Sequence, residues 1–192
     1  MSDKEEIIQI VAFWTNSNQT PNEIMKILLD QYTHTIIKKS KHALSFTLVL
    51  PESIKTTKIM MVSVSNLNKE YPGITDVNCY FIFVDLQNEN SNEILELILS
   101  YSKNYCDLSK KIFVLGIVNK MNDTKHYINK EKIKKTMDSG NFFYEYKELK
   151  LEKAKEVKDS LLKLLVKSSK EGTRQNNNSE KNGNQAHSCN VF

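Results

Sequence analysis

The chain has 192 residues, 40% of them apolar and 26% charged, and a formal net charge of +4. That length allows one domain with a real core and little more. The mild charge excess, with most lysines on helical patterns beside glutamates, reads as a solvated surface and not as a nucleic-acid face. Cys79, Cys106 and Cys189 are too far apart for a CxxC pair, and no His/Cys group has zinc spacing, so neither a metal nor a disulfide framework is expected. An intracellular, reducing location is the expectation. Met1–Glu6 is polar and acidic, unlike a signal peptide, and no apolar run approaches the length of a membrane span.

Taken in order, Ile7–Phe13 is an apolar run and reads as the first strand. Trp14–Thr20 is an Asn/Thr-rich loop. Thr20 followed by Pro21 is a helix start, and Ile24, Ile27 and Leu28 give that helix an inward stripe fading near Tyr32. Thr33–His42 is basic, and a frayed helix is its nearest reading. Leu44–Leu50 and Lys58–Ser65 read as strands joined by a short connection, hence an antiparallel hairpin with one strand at the sheet edge. Pro72-Gly73 marks a turn.

Cys79–Leu86 (Cys-Tyr-Phe-Ile-Phe-Val-Asp-Leu) and Lys111–Val118 (Lys-Ile-Phe-Val-Leu-Gly-Ile-Val) are continuous apolar runs, the signature of strands buried on both faces of a parallel sheet. Asn92–Lys103 between them is long enough for one crossover helix. Asn119–Tyr127 is polar. Asn129–Ser139 predicts a helix with Ile133 and Met137 inward and Gly140 as its stop. Asn141–Tyr146 reads as a last strand. Leu151–Val166 predicts a helix whose apolar face is Ala154, Val157, Leu161, Leu164 and Leu165. Lys170–Ser188 has no apolar spacing and is expected to be disordered. A folded domain over residues 1–167 and a polar tail over 168–192 follow. The fold class is α/β: a mostly parallel six-stranded sheet with helices on both faces, in the order β-α-β-β-β-α-β-α-β-α.

A hairpin after the first helix, then βα units, resembles the layout of small GTPase domains. The nucleotide motifs of that family do not survive. Its phosphate loop uses glycines to aim backbone amides at phosphate and a lysine to neutralise charge. The stretch in that place, Phe13-Trp14-Thr15-Asn16-Ser17-Asn18-Gln19-Thr20-Pro21, has neither residue type, and Pro21 removes an amide at the helix start. Ser65-Asn66-Leu67-Asn68 follows the third strand where a magnesium-holding Asp-x-x-Gly is needed. Asn119-Lys120-Met121-Asn122 resembles the guanine-reading Asn-Lys-x-Asp, with Asn122 in place of the carboxylate and Asp123 one position late; a chance match in a polar loop is the other reading. His34, His42, His126 and His187 are scattered, and Glu89, Glu93 and Glu96 read as surface charge. No catalytic residue, cofactor site or metal site is expected.

Among degenerate G domains the chain resembles the centromere protein M family of the inner kinetochore. The resemblance rests on Asp107-Leu108-Ser109-Lys110-Lys111-Ile112-Phe113, on His126–Ile128 followed by Asn141–Leu149 with its Phe-Phe-Tyr, and on the shortened region between strands three and four. It implies a non-catalytic scaffold at centromeres, in the nucleus, binding a helical-repeat partner, centromere protein I. The competing reading comes from Cys189-Asn190-Val191-Phe192, which matches a prenylation box with Cys189 as the lipidated residue. It implies a Ras-like trafficking protein at a cytoplasmic membrane surface, although Asn190 is not aliphatic and few basic residues precede it. A third reading is an adaptor-binding trafficking protein with a similar inactive G domain.

Overall fold

The computed structural model describes residues 8–15, 34–39, 43–49, 56–62, 67, 75–118 and 127–182. Seven strands form one sheet: β1 (Ile8–Trp14), β2 (His34–Lys39), β3 (Ala43–Val49), β4 (Thr56–Val62), β5 (Cys79–Asp85), β6 (Lys111–Val118) and β7 (Tyr144–Lys150). Their spatial order is β2-β3-β4-β1-β5-β6-β7. The five strands β4-β1-β5-β6-β7 run parallel, and β3 and β2 add antiparallel to one side. The described helices are α1 (Ser91–Tyr105), α2 (Lys130–Ser139) and α3 (Ala154–Asn182).

The sheet has one strand more than its sequence predicts. Thr33–His42, read as a frayed helix, contains β2, which pairs antiparallel with β3 and carries a register irregularity between Ile36 and Lys38. Its Thr35-Ile36-Ile37 core is β-branched, and an available strand edge outweighs the local ambiguity. The hairpin of β3 and β4 forms as expected, but β2, not a hairpin strand, is the edge on that side. The helix expected after Pro21 lies outside the described residues.

The central strands explain the continuous apolar runs. Every residue of β5 is buried, and all of β6 after Lys111. Alternate residues feed two cores. On one face Ile10, Ala12, Phe81, Phe83, Phe113, Leu115 and Ile117 meet Val157, Leu161, Leu164 and Leu165 of α3. On the other, Val11, Phe13, Ile82, Val84 and Val114 meet Leu95, Ile98 and Leu99 of α1 and Ile133 and Met137 of α2. Helices therefore cover both faces, in three layers. Cys79 is one of the buried strand residues, as a small hydrophobe should be. Ala154, expected on the inner face of the last helix, is exposed: the helix starts there, before it settles onto the sheet.

The stop of α2 works differently from the usual left-handed glycine. The Asn129 side chain caps its start by accepting from Lys132 N at 2.9 Å. At its end Gly140 has φ −91°, and Asn141 takes the positive φ of 54°, which asparagine tolerates. Gly140 is needed for space, because a Cβ there would lie 2.3 Å from the Phe142 ring. This turn delays β7, which begins at Tyr144 and extends to Lys150, against the expected Asn141–Tyr146. Past β7, α3 continues to Asn182 through residues whose composition predicts disorder. The stretch has no proline, and a helix already anchored by packing gains one hydrogen bond per added residue.

Candidate functional site

In an open, mostly parallel sheet the ligand crevice lies beyond the carboxyl ends of the strands, where the chain leaves neighbouring strands in opposite directions. Here that point falls between β1, whose chain goes on toward β4, and β5, whose chain goes on to β6. Three polar residues meet there. Thr15 follows β1, Asp85 ends β5 and Ser91 opens α1, and they are 1%, 4% and 0% exposed.

Their hydrogen bonds close on one another. Thr15 N donates to Phe83 O at 2.9 Å, which extends the β1–β5 ladder by one rung. Asp85 N donates to Thr15 Oγ1 at 3.0 Å. Thr15 Oγ1 and Ser91 Oγ share a further hydrogen bond, also 3.0 Å. The Asp85 carboxylate accepts from Gln87 N at 2.9 Å, and Asn88 Oδ1 accepts from Asn90 N at 2.9 Å, so the turn into α1 is built from side chains gripping backbone amides. Leu86 bonds across to Ile117 O at 2.9 Å and accepts from Tyr127 N at 3.0 Å. Buried polar groups need partners, and these bonds tie β1, β5, β6 and α1 at one rim. The arrangement can fix that rim. A hydroxyl bonded to a second hydroxyl and a backbone amide is not an activated nucleophile, which would need an adjacent base.

A second polar group sits at the opposite end of the same core. Tyr80 Oη accepts from Asp107 N at 2.9 Å, and burial, aided by the neighbouring Cys106 and opposed by that hydrogen bond, pushes the Tyr80 phenol above its ordinary range. Burial likewise pushes the Cys106 thiol up to about 11, against the opposing hydrogen bonds of Ser102 and Tyr80. A thiol with so raised a value carries little nucleophilic thiolate at neutral pH.

Of the sequence-derived candidates, Asn119, Lys120 and Asn122 lie outside the described residues; they follow β6, whose last residue Val118 ends at the same rim as Thr15. Cys189 also lies outside them, as do the side chains of all four histidines. Glu89, Glu93 and Glu96 are exposed, and Glu96 accepts from Asn92 Nδ2 at 2.9 Å, in keeping with surface charge. Among the described residues no group of three His, Cys, Asp or Glu could hold a metal, and no helix is long and apolar enough to cross a membrane. The Thr15–Asp85–Ser91 cluster was not singled out from sequence. Its signal is Asp85, one carboxylate near the end of an otherwise apolar buried run.

The fold and this rim define an α/β protein with five parallel strands, an antiparallel edge pair and helices on both faces. No protein-family model matches the chain, and no curated protein matches it either.

Proposed function

We propose that the chain is a degenerate small GTPase-like domain that acts as a non-catalytic protein-binding scaffold in the inner kinetochore. The observation that carries this reading is Thr15. The strand order from β3 onward, with one antiparallel strand beside β4-β1-β5-β6-β7, suits a G-domain layout with one further edge strand. In that layout the phosphate loop would open at the residue after β1. That residue is Thr15, whose side chain is buried and bonded to Asp85 N and Ser91 Oγ. A glycine loop there would offer backbone amides to phosphate; Thr15 instead commits its side chain to β5 and α1. The missing lysine and Pro21 in the same loop support the reading from the sequence.

On this proposal centromere protein I, a helical-repeat protein, is the partner, no nucleotide or metal is used, and the protein sits at centromeres in the nucleus. Isothermal titration of the chain with GTP, GDP and ATP in magnesium is expected to give no heat of binding. Co-purification with centromere protein I of the same organism is expected to give a stable complex. Micromolar binding of any nucleotide would overturn the scaffold reading. The alternative, a prenylated Ras-like or adaptor-binding trafficking protein, rests on the four residues from Cys189 to Phe192.

A further inference from the structure

We propose that β7 is a self-pairing edge, through which two copies of the chain join antiparallel in a symmetric dimer centred on Tyr146. β7 ends the sheet on the side away from β2. In a parallel ladder the backbone N–H and C=O of one residue face the same neighbour, and successive residues alternate sides. Phe143 O accepts from Ile112 N at 2.9 Å and Leu151 N donates to Val118 O at 3.0 Å, so odd-numbered residues face β6. Tyr144, Tyr146 and Glu148 therefore turn their backbone groups outward, and among the described residues nothing pairs with them. Lys150 O, next in line, is taken by Lys153 N at 3.0 Å, which marks where the free edge stops.

The side chains select a second copy as the occupant. Odd-numbered residues of β7 point to the α3 face: Leu149 packs in the α3 core and Glu145 bonds Lys167. A two-fold axis through Tyr146 sets each Glu145 opposite the other copy's Lys147, and each Tyr144 opposite Glu148. Opposite charges directly across a ladder stabilise it, and like charges oppose it. Centring the pair on Glu145, Lys147 or Glu148 would face like against like, so the alternation of sign favours the register centred on Tyr146, which pairs the most opposite charges. The same register sets Phe143 opposite Leu149. Phe143 is 55% exposed, which leaves its ring open to a partner. Leu149 and Val157 help line an open hollow of about 240 Å³ between β7 and α3, together with Lys147, Lys153, Glu156 and Ser160. One copy's Phe143 thus lies beside the other's hollow, twice per dimer. An isologous interface of this kind closes on itself. It is small, so the dimer is a weak one, with a dissociation constant of roughly 1–100 μM.

Sedimentation of the full chain over a concentration series tests this. The wild type is expected to pass from monomer to dimer as concentration rises. Lys147→Glu and Glu145→Lys should each weaken the dimer at least tenfold. Mixed in equal amounts, the two variants should associate about as well as the wild type, because each Glu then again faces a Lys. Glu145 also bonds Lys111 and Lys167 within its own chain, so thermal melts accompany the series. Where Glu145→Lys does not fold, Phe143→Ala carries the test, with the same tenfold loss expected. A wild type that stays monomeric throughout, or a dimer untouched by Lys147→Glu and Phe143→Ala, overturns the proposal.

Discussion

Gly116 lies in the middle of β6, where a neighbouring side chain comes close to its backbone. A Cβ added there would sit 2.5 Å from Tyr146 Oη, 3.1 Å from its Cζ and 3.2 Å from Leu86 Cδ1. Tyr146 Oη is itself buried, with no hydrogen-bond partner among the described residues, and burial, with Glu148 and Glu131 nearby, pushes its phenol up to about 12. Gly116→Ala should therefore cost about 1–3 kcal/mol of overpacking, less about 0.5–1 kcal/mol regained from the unfolded chain's lost freedom. A net loss of about 1–2 kcal/mol lowers Tm by ~4 °C in a chain of this size. Tyr146→Phe removes an unsatisfied hydroxyl and should be neutral or stabilising by up to about 1 kcal/mol. In the Phe background the nearest clash is gone, so Gly116→Ala should cost about 1 kcal/mol less than in the wild type. Urea unfolding of the four proteins measures this. An equal cost in both backgrounds, or a stabilising Gly116→Ala, would refute the placement of Tyr146 against β6.

Other outcomes follow from the same contacts. Thr15→Val keeps the shape but leaves Asp85 N and Ser91 Oγ without their shared partner, which should cost about 2 kcal/mol in chemical denaturation; no loss would mean the rim does not depend on that knot. In a Cys189→Ser background, a Cys106 thiol raised to about 11 is about one part in a thousand thiolate at pH 8, so iodoacetamide should label it far more slowly in the native protein than in urea. Glu145 is held below its ordinary value chiefly by Lys167, with Lys111 adding. A depressed carboxylate stabilises above its unfolded value and loses that contribution as pH falls through its lower folded value. The stability gap between wild type and Glu145→Gln should thus be steady near pH 7 and shrink below about pH 4.5. Since Glu145 is one-third exposed, that gap stays within about 1 kcal/mol, and a gap that widens in acid would contradict the pairing.

The elements that the sequence revealed are those whose residues answer to one environment. β5 and β6 are apolar throughout because both faces are covered, and α2 carries its cap and its inward pair within eleven residues. The elements it hid lie where two demands compete. β2 has a β-branched centre inside a basic stretch, and only its pairing with β3 decides between helix and strand. β7 alternates Tyr-Glu-Tyr-Lys-Glu-Leu-Lys, a period-two pattern whose charges mask its last four residues. The polar end of α3 has no inward stripe to announce it. The candidate site was the least legible part. Thr15 and Asp85 are separated by 70 positions, and no local pattern links a loop threonine to a carboxylate on another strand. Only the sheet order brings them together.

The measurement that bears most directly on the proposed role is where the protein goes in dividing cells. A fluorescent fusion at the N-terminus leaves Cys189 to Phe192 free, and a Cys189→Ser version serves as its control. A kinetochore scaffold predicts paired nuclear foci that persist through mitosis and do not change with Cys189→Ser. One prenyl chain gives only marginal membrane binding, so a lipidated protein would show partial membrane labelling beside a soluble pool. Membrane labelling that disappears with Cys189→Ser, without nuclear foci, would contradict the account and favour the trafficking role.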